Sequence, residues 1–405
     1  MKRLKFDNPI ECSGCGACAA ICPRQCIKME KDSLDFNIPH LDKPEECIDC
    51  GLCFKVCPQV KKKVDELQKS IWVYGQNKNR KICHESSSGG AFSLLATYVL
   101  EKDGYVWGVE LQSNGFPCFA CIHGKSDLAR LRGSKYAEVK EPMPFKQIKQ
   151  QLKEKKYVLV SGTPCQILAL RNFLGSTDYP NLVLVDLLCY GIQSPKMWNL
   201  YLQDVNPHNK NISHISMRNK HVSWFNYSMK INFEDGTEYK KIRYKDPWLL
   251  TYSTSIFNRL ACSDCQSKKS PHISDFTIGD FWDIDYYKNP IKLNKKQGVS
   301  LVMLHTQKAI ELFKAVNSDF VFDYIPEKYI EKRSMSLAKS SPVNSLRDTF
   351  IQDACKIGFA NTVCKYMDAG VSLWYKKRKN YLRHQTIGRI KSIVKTIIGY
   401  KKNEN

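Results

Sequence analysis

Two stretches of the chain decide how its first part folds: CSGCGACAAICP at residues 12–23 and CIDCGLCFKVCP at residues 47–58. Each follows the pattern C-x-x-C-x-x-C-x-x-x-C-P, and every cysteine of the second stretch lies 35 positions after its counterpart in the first. Three thiolates spaced in this way can surround one corner of a 4Fe-4S cubane, while the cysteine before proline ligates the other cluster. The spacing therefore predicts a two-cluster ferredoxin module of the bacterial type.

The eight cysteines of the module are predicted to form two ligand groups, because the cysteine before each proline joins the three cysteines of the other repeat. The Cys12 group consists of Cys12, Cys15, Cys18 and Cys57. The Cys22 group consists of Cys47, Cys50, Cys53 and Cys22. Paired zinc knuckles would explain neither the third cysteine nor the C-P ending. A radical-initiating cluster would need a cysteine where Met29 stands.

The composition predicts a globular protein with a larger domain beside this module. The chain has 405 residues, of which 43% are apolar and 18 are cysteines. Cysteines in ferredoxin motifs, with no apolar segment after Met1-Lys2-Arg3, favour a reducing cytoplasm over a disulfide framework. No apolar run approaches the roughly 20 residues that a membrane span requires.

The formal net charge is +22. Each oxidised 4Fe-4S cluster with its thiolates contributes about −2, so positive potential remains once bound clusters are counted. Such a potential attracts nucleic acid, anionic lipid or an acidic redox partner. Lysine and arginine are spread along the chain without an aromatic-interleaved basic motif, and nucleic acid is therefore not predicted as a partner.

An alternation of strands and helices is predicted from about residue 71. Ser86-Ser87-Ser88-Gly89-Gly90 precedes an amphipathic helix predicted at 91–101. Small residues before a helix leave backbone N–H groups open to phosphate, but serine and glycine also serve as ordinary N-caps. Strands are predicted at 105–111 and 119–123, joined by a turn at Asn114-Gly115. The basic turn at 131–136 fits either a contact to a cofactor phosphate or a plain loop.

Two further strands are each followed by a cysteine. Strand 157–160 leads into Cys165 and a helix at 166–174, and strand 182–188 leads into Cys189. The carboxyl ends of strands are where α/β folds place their sites, so both thiols are expected at one edge of a sheet. Later, strand-like alternation covers 216–233, a hairpin leads into 237–244, and a helix is predicted at 247–258. That helix precedes Cys262-Ser263-Asp264-Cys265.

One more 4Fe-4S cluster would need four thiolate ligands, and these segments supply four cysteines. The sequence therefore predicts a third cluster, held by the Cys165 group: Cys165, Cys189, Cys262 and Cys265. Cys118 and Cys121 stand three apart on a predicted strand, where they point to opposite faces, and are expected to be core residues. No role is assigned to Cys83, Cys355 or Cys364.

Several motifs, taken in order, resemble the coenzyme F-420 hydrogenase/dehydrogenase beta-subunit family over nearly the whole chain. They are Ser87-Ser88-Gly89-Gly90, Gly133-Ser134-Lys135-Tyr136, Gly162-Thr163-Pro164-Cys165-Gln166, Cys189-Tyr190-Gly191, Cys262-x-x-Cys265, Gly279-Asp280-Phe281-Trp282 and Gly298-Val299-Ser300-Leu301. The chain departs from the family pattern at Tyr190, where histidine is usual, and at Leu260-Ala261, where Arg-Pro is common. Neither change removes a presumed ligand, but both bear on the substrate pocket.

The resemblance implies a flavoprotein in which FAD passes electrons between iron–sulfur clusters and a two-electron acceptor or donor, which is the deazaflavin in methanogens. Relatives with fused ferredoxin modules reduce other substrates or are encoded beside cell-surface polysaccharide genes. On this resemblance the flavin is expected near Ser88, Gly89, Gly90, Lys135 and Tyr136, with Lys135 offsetting negative charge. Asp280 is a poor candidate for acid–base catalysis, because a Gly-Asp pair such as Gly279-Asp280 also makes an ordinary turn, and no catalytic acid is predicted.

The predicted fold is a small ferredoxin module followed by a mixed α/β (α+β or α/β) flavin and iron–sulfur domain. The predicted divisions are 1–65 for the ferredoxin module, 71–160 and 161–345 for the N- and C-terminal domains of the beta-subunit type, and 346–405 for a basic helical tail. From Trp374 onward, apolar residues recur at helical spacing between lysines and arginines. That pattern fits either a helix on an anionic membrane surface or one docked on its own domain.

Two functions stay open at this level. The first is an iron–sulfur flavin oxidoreductase with its own small-molecule substrate. The second is an electron-transfer subunit that relays between ferredoxin, or another redox protein, and a partner enzyme.

Overall fold

The computed structural model of the chain describes residues 11–60, 70–269, 274–285, 287, 290–326, 328–329 and 339–366. The basic helix predicted from Trp374 lies outside these residues. The architecture is mixed α/β, as predicted, with a small module followed by a larger body.

The small module consists of two short helices and one hairpin. Its elements in chain order are α1 (Ala17–Ile21), β1 (Ile27–Lys31), β2 (Asn37–Leu41) and α2 (Leu52–Val56). The hairpin is antiparallel, with Ile27 opposite Leu41 and Lys31 opposite Asn37. Gly16 precedes α1 with φ 77°, and a side chain there would meet Pro142 of the body at 2.4 Å. Glycine at this position therefore permits both the turn and the close approach of the body.

The first half of the body alternates helices and strands. Its elements are β3 (Ile71–Asn77), α3 (Arg80–Glu85), α4 (Ala91–Glu101), β4 (Tyr105–Leu111), β5 (Pro117–Ile122), α5 (Leu128–Leu131), α6 (Phe145–Lys153), β6 (Val158–Gly162), α7 (Pro164–Leu174) and β7 (Leu182–Leu187).

The second half adds a small sheet and completes the large one. Its elements are α8 (Pro195–Val205), β8 (Ile212–Asn219), β9 (Ser228–Phe233), β10 (Glu238–Ile242), α9 (Pro247–Tyr252), α10 (Gln266–Lys269), β11 (Phe276–Asp280), β12 (Ser300–Leu304), α11 (Gln307–Val316), β13 (Phe320–Tyr324) and α12 (Arg347–Ile357).

Eight strands form the large sheet in the order β13-β3-β12-β11-β7-β6-β4-β5. The four strands β4, β6, β7 and β11 are parallel neighbours, and the outer pairings are antiparallel. All five residues of β6 are buried, as expected for a parallel strand that is covered on both faces. The predicted division at residue 160 falls inside β6, so strands from both sides of it share this sheet.

The carboxyl ends of β6, β7 and β11 lie at one edge of the large sheet. The register places Gly162 beside Asp186, and Asp280 beside Ser300. Ser300 in turn lies beside Gly75, so the start of β12 and the end of β3 reach the same edge. This carboxyl edge is the region of the body where the predicted site residues collect.

The three-stranded sheet, in the order β10-β9-β8, is antiparallel. The prediction of continuous strand over 216–233 is wrong for 220–227, where the chain leaves the sheet. The ammonium of Lys220 and the ring of Trp224 are buried in the body, and these contacts outweigh the local β pattern. The helix predicted at 247–258 ends at Tyr252, and Ser255 has φ 58°, a conformation that does not continue a helix.

The module and the body share one hydrophobic core. Ala17, Cys18 and Val56 of the module pack in the same buried cluster as Ile167 and Leu170 of α7. A second core lies between the large sheet and helices α4 and α11, and a third, rich in aromatic rings, packs α8 against the three-stranded sheet. Within the described ranges, no helix has the length and apolar character needed to cross a membrane.

Candidate redox site

The Cys12 group is brought together at the side of the module that faces the body. Cys15 and Cys18 are buried, and burial raises the pKa of both thiols. Cys57, from the other repeat, raises the pKa of Cys15 and Cys18 further, and Cys12 acts in the same direction. The backbone N–H of Gly14 donates to the Cys12 Sγ at 3.3 Å. Thiols that oppose one another's ionisation need a cationic centre to hold them as thiolates, which iron supplies.

The Cys22 group lines one pocket of the module, on the side where Ile48 is 62% exposed. Its walls include Cys22, Cys47, Cys50 and Cys53, so the cysteine before the first proline does reach the second repeat. The backbone N–H of Cys26 donates to the Cys22 Sγ at 3.4 Å. Cys26 itself is 1% exposed and packs as a small buried residue beside this group.

The Cys165 group assembles at the carboxyl edge. Cys165 is the second residue of α7, directly after β6, and Cys189 follows the end of β7 by two residues. Cys262 lies in a 3-10 helix at Leu260–Asp264, and Cys265 follows that helix. Thr163 caps α7, and its hydroxyl lies 3.2 Å from the Cys165 Sγ. Four thiols from three separate parts of the chain are thus positioned by short segments at the carboxyl edge.

Electrostatic coupling shows that these four thiols are close. Burial is the largest cause that raises the pKa of Cys165, followed by Cys265, with Cys189 and Cys262 acting in the same direction. Burial and Cys189 raise the pKa of Cys262 to about 12. Backbone N–H groups donate to two of the sulfurs at 3.4 Å, from Gly191 to Cys189 and from Ile192 to Cys262. Such N–H···S bonds are among the interactions that set cluster potentials.

The donor set of the three groups consists of cysteine sulfurs alone. Among the residues that the structure describes, no three Cys, His, Asp or Glu side chains are close enough to form a site for one ion. A cubane presents four separate irons, so its ligand sulfurs lie farther apart than the ligands of one ion. All-sulfur donors with N–H groups directed at them also match iron–sulfur ligation.

The loop that contains Ser88, Gly89 and Gly90 is fixed at the same edge of the sheet. The Ser88 hydroxyl donates to the Val299 carbonyl oxygen at 2.8 Å, and the Gly89 N–H donates to the Ser300 hydroxyl at 2.9 Å. Gly90 caps α4 with φ 87° and contributes no side-chain cap, which leaves the first amides of this eleven-residue helix without a side-chain acceptor from the cap. The loop is therefore held in place by the strands β3 and β12.

Lys135 and Tyr136 lie in the basic turn after α5. The Lys135 ammonium donates to the carbonyl oxygens of Arg130, Leu131 and Arg132 at 3.4, 3.1 and 2.7 Å. Burial lowers the pKa of Lys135 to about 7. Lys135 therefore caps the end of α5, and its ammonium does not point freely toward a phosphate.

Tyr136 belongs to a row of tyrosines that leads toward the Cys165 group. Its ring centroid lies 4.1 Å from that of Tyr252, which lies 6.2 Å from that of Tyr190, the neighbour of Cys189. Burial raises the pKa of Tyr252, and both Tyr136 and Cys189 raise it further. The row connects the predicted flavin region with the third group of cysteines.

A buried ion pair at the carboxyl edge was not predicted from the sequence. Arg218 of β8 donates to both carboxylate oxygens of Asp280, at 2.5 and 3.2 Å, and the Trp224 indole N–H donates to the same carboxylate at 2.7 Å. The Arg218 guanidinium also lies 5.1 Å from the Trp282 ring. The Asp280 carboxylate is thus held by an arginine and a tryptophan at this edge.

Lys220 is a second residue that sequence reasoning missed. Its buried ammonium bonds the carbonyl oxygens of Cys83, Ser88 and Gln297, of which the first two lie at 2.5 and 2.9 Å. Burial lowers the pKa of Lys220 to about 8. Lysine in a strand pattern ordinarily predicts solvent exposure, so the sequence around Lys220 did not indicate burial. The motif at Ser88, whose carbonyl oxygen Lys220 contacts, was the only sequence signal near this site.

The remaining cysteines do not join the three groups. Cys118 and Cys121 lie on β5 and are half-buried, so the expectation that they are core residues holds only in part. Cys118 contacts Glu110, whereas Cys121 contacts Gln151 of α6. Cys83 is buried in α3, and Cys355 and Cys364 are exposed.

Comparisons with known proteins identify two parts of the chain. Residues 155–329 match the family described as the C terminus of the coenzyme F420 hydrogenase/dehydrogenase beta subunit, and residues 11–60 match the 4Fe-4S dicluster domain. No curated protein matches the chain. Among solved structures, the chain is similar to one from "Xenon derivatization of the F420-reducing [NiFe] hydrogenase complex from Methanosarcina barkeri". The identity is 14% and the TM-score 0.43, over 71% of this chain and 93% of that chain.

The cysteine repeats and the family motifs from Gly162 onward lie inside these two matches, whereas the motifs at 87–90 and 133–136 lie outside both. The repeats at 12–23 and 47–58 lie inside the dicluster match, and all four members of the Cys165 group lie inside the beta-subunit match. The chain thus contains a region similar to the 4Fe-4S dicluster domain, at residues 11–60, followed by a region similar to the C terminus of the coenzyme F420 hydrogenase/dehydrogenase beta subunit, at residues 155–329.

Proposed function

We propose that the protein is an iron–sulfur flavoprotein oxidoreductase that passes electrons between its ferredoxin-type module and a two-electron acceptor or donor bound at the carboxyl edge. The observation that carries the proposal is the convergence of Cys165, Cys189, Cys262 and Cys265 at that edge, beside the tyrosine row and the Ser88 loop. When bound, the clusters supply one-electron transfer, and FAD supplies the conversion between one- and two-electron chemistry.

The cluster ligands in this proposal are the three groups of cysteines. The Cys12 group and the Cys22 group each hold one 4Fe-4S cluster of the module, and the Cys165 group holds the third. The protein contributes the N–H donors at Gly14, Cys26, Gly191 and Ile192, which stabilise thiolate charge and orient the sulfurs. The shared core between module and body excludes water from the side of the Cys12 group.

The flavin contacts in this proposal are Ser88, Gly89, Gly90 and Tyr136, with Lys135 acting indirectly by holding the turn. The start of α4 offers backbone N–H groups for a diphosphate. Arg132 lies beside it, because its Nε donates to the Ser93 hydroxyl of α4 at 3.0 Å, while its Nη1 forms an ion pair with Glu85 at 2.7 Å. Tyr136 and Tyr252 offer aromatic faces for the ring system.

The second candidate is an electron-transfer subunit without a substrate of its own. It is favoured by the description of the matching family as a beta subunit. Steady turnover of a small molecule by the isolated chain, with dithionite or reduced ferredoxin as donor, would support an independent enzyme. A flavin that is reduced but is reoxidised only when a partner enzyme is added would support the subunit.

Cofactor analysis of protein reconstituted without oxygen tests the main proposal. Three cubanes require about twelve irons per chain, and Cys265→Ala is expected to retain about eight. Cys355→Ala is the matched control, since Cys355 is exposed and lies outside the three groups, and should retain about twelve. About eight irons in the unaltered protein would rule out the third cluster, and a preparation without extractable FAD would rule out the flavoprotein.

Localisation and pathway belong to the same proposal. Free cysteines throughout the described chain suit a reducing cytoplasm, with ferredoxin or another redox protein as the partner. The basic helix predicted from Trp374 would add a peripheral contact with the inner face of the membrane. A link to cell-surface polysaccharide metabolism rests on the fused ferredoxin module alone.

A further inference from the structure

One buried ion pair lies at the junction between the module and the body. Arg259 and Glu138 are 4% and 5% exposed, and the Glu138 Oε2 accepts from Arg259 Nη2 at 2.6 Å and from Nε at 3.0 Å. A buried pair of this kind is costly to desolvate, so its presence is not explained by a gain in stability alone.

Arg259 reaches the loop of the Cys12 group. Its Nη1 donates to the Cys12 carbonyl oxygen at 3.1 Å, and its Nη2 donates to the Asn37 carbonyl oxygen at 3.1 Å. A Cβ at Gly14 would lie 2.5 Å from Arg259 Nη2, so the absence of a side chain there admits the guanidinium. The cation is therefore packed directly against the backbone that carries Cys12.

The same residue is also part of the Cys165 group's support. Cys262 follows Arg259 by three positions, and the Cys262 N–H donates to the Arg259 carbonyl oxygen at 3.0 Å. The Arg259 N–H donates to the Ile192 carbonyl oxygen at 2.8 Å, and the Ile192 N–H donates to the Cys262 Sγ. Burial raises the pKa of Cys12 and of Cys262, and the Arg259 charge opposes the rise in both.

We propose that Arg259 is a fixed positive charge shared by the cluster of the Cys12 group and the cluster of the Cys165 group, and that it raises the reduction potential of both. The inference rests on the proposed third cluster. Reduction adds negative charge to a cluster, and a nearby buried cation stabilises the reduced form more than the oxidised form. Glu138 orients the guanidinium and partly offsets its charge. Arg259 is therefore a positioning and tuning residue for transfer between module and body.

Redox titration of the reconstituted full-length chain, followed by electron paramagnetic resonance, tests the proposal. Arg259→Gln is expected to lower the midpoint potentials of the two clusters by about 59 mV, which is a tenfold change in a one-electron equilibrium. Glu138→Gln removes the opposing charge and is expected to raise them. The signal that disappears in Cys265→Ala identifies the third cluster, and the cluster of the Cys22 group serves as internal reference.

Lys196→Gln is the matched control. The Lys196 ammonium also joins body to module, donating to the Ser33 carbonyl oxygen at 3.0 Å, but that contact is made to the hairpin turn. The midpoint potentials of all clusters in Lys196→Gln should equal those of the unaltered protein. A merely structural role for Arg259 would not give shifts of opposite sign in the two charge-removing variants.

Three results would overturn the proposal: unchanged potentials in Arg259→Gln with about twelve irons retained, shifts of the same sign in Arg259→Gln and Glu138→Gln, or equal shifts in all clusters. If Arg259→Gln does not hold iron, the rise expected for Glu138→Gln decides the matter. About eight irons in the unaltered protein would instead refute the third cluster, and a shift of the Cys12-group potential alone would then restrict Arg259 to the module.

Discussion

Replacing Gly89 by alanine probes the Ser88 loop with the smallest possible change. An added Cβ would lie 2.4 Å from the Gly75 carbonyl oxygen and 2.7 Å from the Ser300 backbone nitrogen. Both atoms belong to paired strands, β3 and β12, and cannot move as a flexible side chain would. The loop itself must therefore shift outward, by about 1 Å if an ordinary van der Waals contact is to be restored.

The displacement endangers two hydrogen bonds that hold the loop. The Gly89 N–H donates to the Ser300 hydroxyl at 2.9 Å, and the Asn77 N–H donates to the Gly89 carbonyl oxygen at 2.7 Å. Each bond contributes about 1 kcal/mol, and overpacking of a buried site adds about 1 to 3 kcal/mol. We therefore expect Gly89→Ala to lower the free energy of unfolding by about 3 kcal/mol.

Urea unfolding under anaerobic conditions, followed by tryptophan fluorescence, measures this loss. Gly124→Ala is the matched control, because its φ of −109° suits alanine and its nearest neighbour is the Ser126 hydroxyl at 3.3 Å. The control should change stability by less than about 0.5 kcal/mol. In the proposed flavoprotein, Gly89→Ala also releases FAD while Gly124→Ala retains it. A Gly89→Ala protein as stable as the control would refute the packing argument, and one that is destabilised yet retains all its FAD would refute the flavin contact.

Three further changes have defined outcomes. Burial raises the pKa of Asp186 to about 7, above its unfolded value, so its stabilising contribution is present at low pH and is lost as the pH rises through 7. Between pH 6 and pH 8, the free energy of unfolding of the unaltered protein should fall by about 1.4 kcal/mol relative to that of Asp186→Asn, measured in paired urea titrations. If the difference in free energy between the two proteins is the same at both pH values, the shifted pKa is contradicted. Lys220→Met leaves three buried carbonyl oxygens without their donor and should lower the free energy of unfolding by about 3 kcal/mol in the same assay. Lys81 is exposed, so Lys81→Met should leave the free energy of unfolding almost unchanged. The Asn79 side chain caps α3 by accepting from the Lys81 and Ile82 N–H groups. Asn79→Ala should therefore lower the free energy of unfolding by about 1 kcal/mol, whereas Asn79→Asp should keep most of the stability that the cap provides.

The parts of the fold that the sequence predicted well are those set by local chemistry. The helix bounds of α4 agree with its apolar stripe, and the strands around Asn114-Gly115 pair as β4 and β5. Gly115 has φ 80°, which the turn requires. The cysteine repeats likewise carry their ligand pattern in their spacing, and the matching dicluster domain covers both.

The parts that escaped prediction depend on contacts between distant segments. Arg218, Lys220 and Arg259 are charged residues that a pattern of alternating polarity assigns to the surface. Each is buried because a partner from elsewhere in the chain meets it: Asp280 for Arg218, carbonyl oxygens for Lys220, and Glu138 for Arg259. Pairing across 62 or 121 positions leaves no trace in local periodicity.

The core that Ala17, Cys18 and Val56 share with α7 has a kinetic consequence. A carrier domain on a flexible linker must find its docking site before each transfer, and its rate then falls as solvent viscosity rises. Here the module is already seated by apolar packing and by the bonds of Arg259 and Lys196. In the proposed oxidoreductase, internal electron transfer should therefore be independent of viscosity, and only the encounter of an external redox protein with the side of the module that carries Ile48 should depend on diffusion.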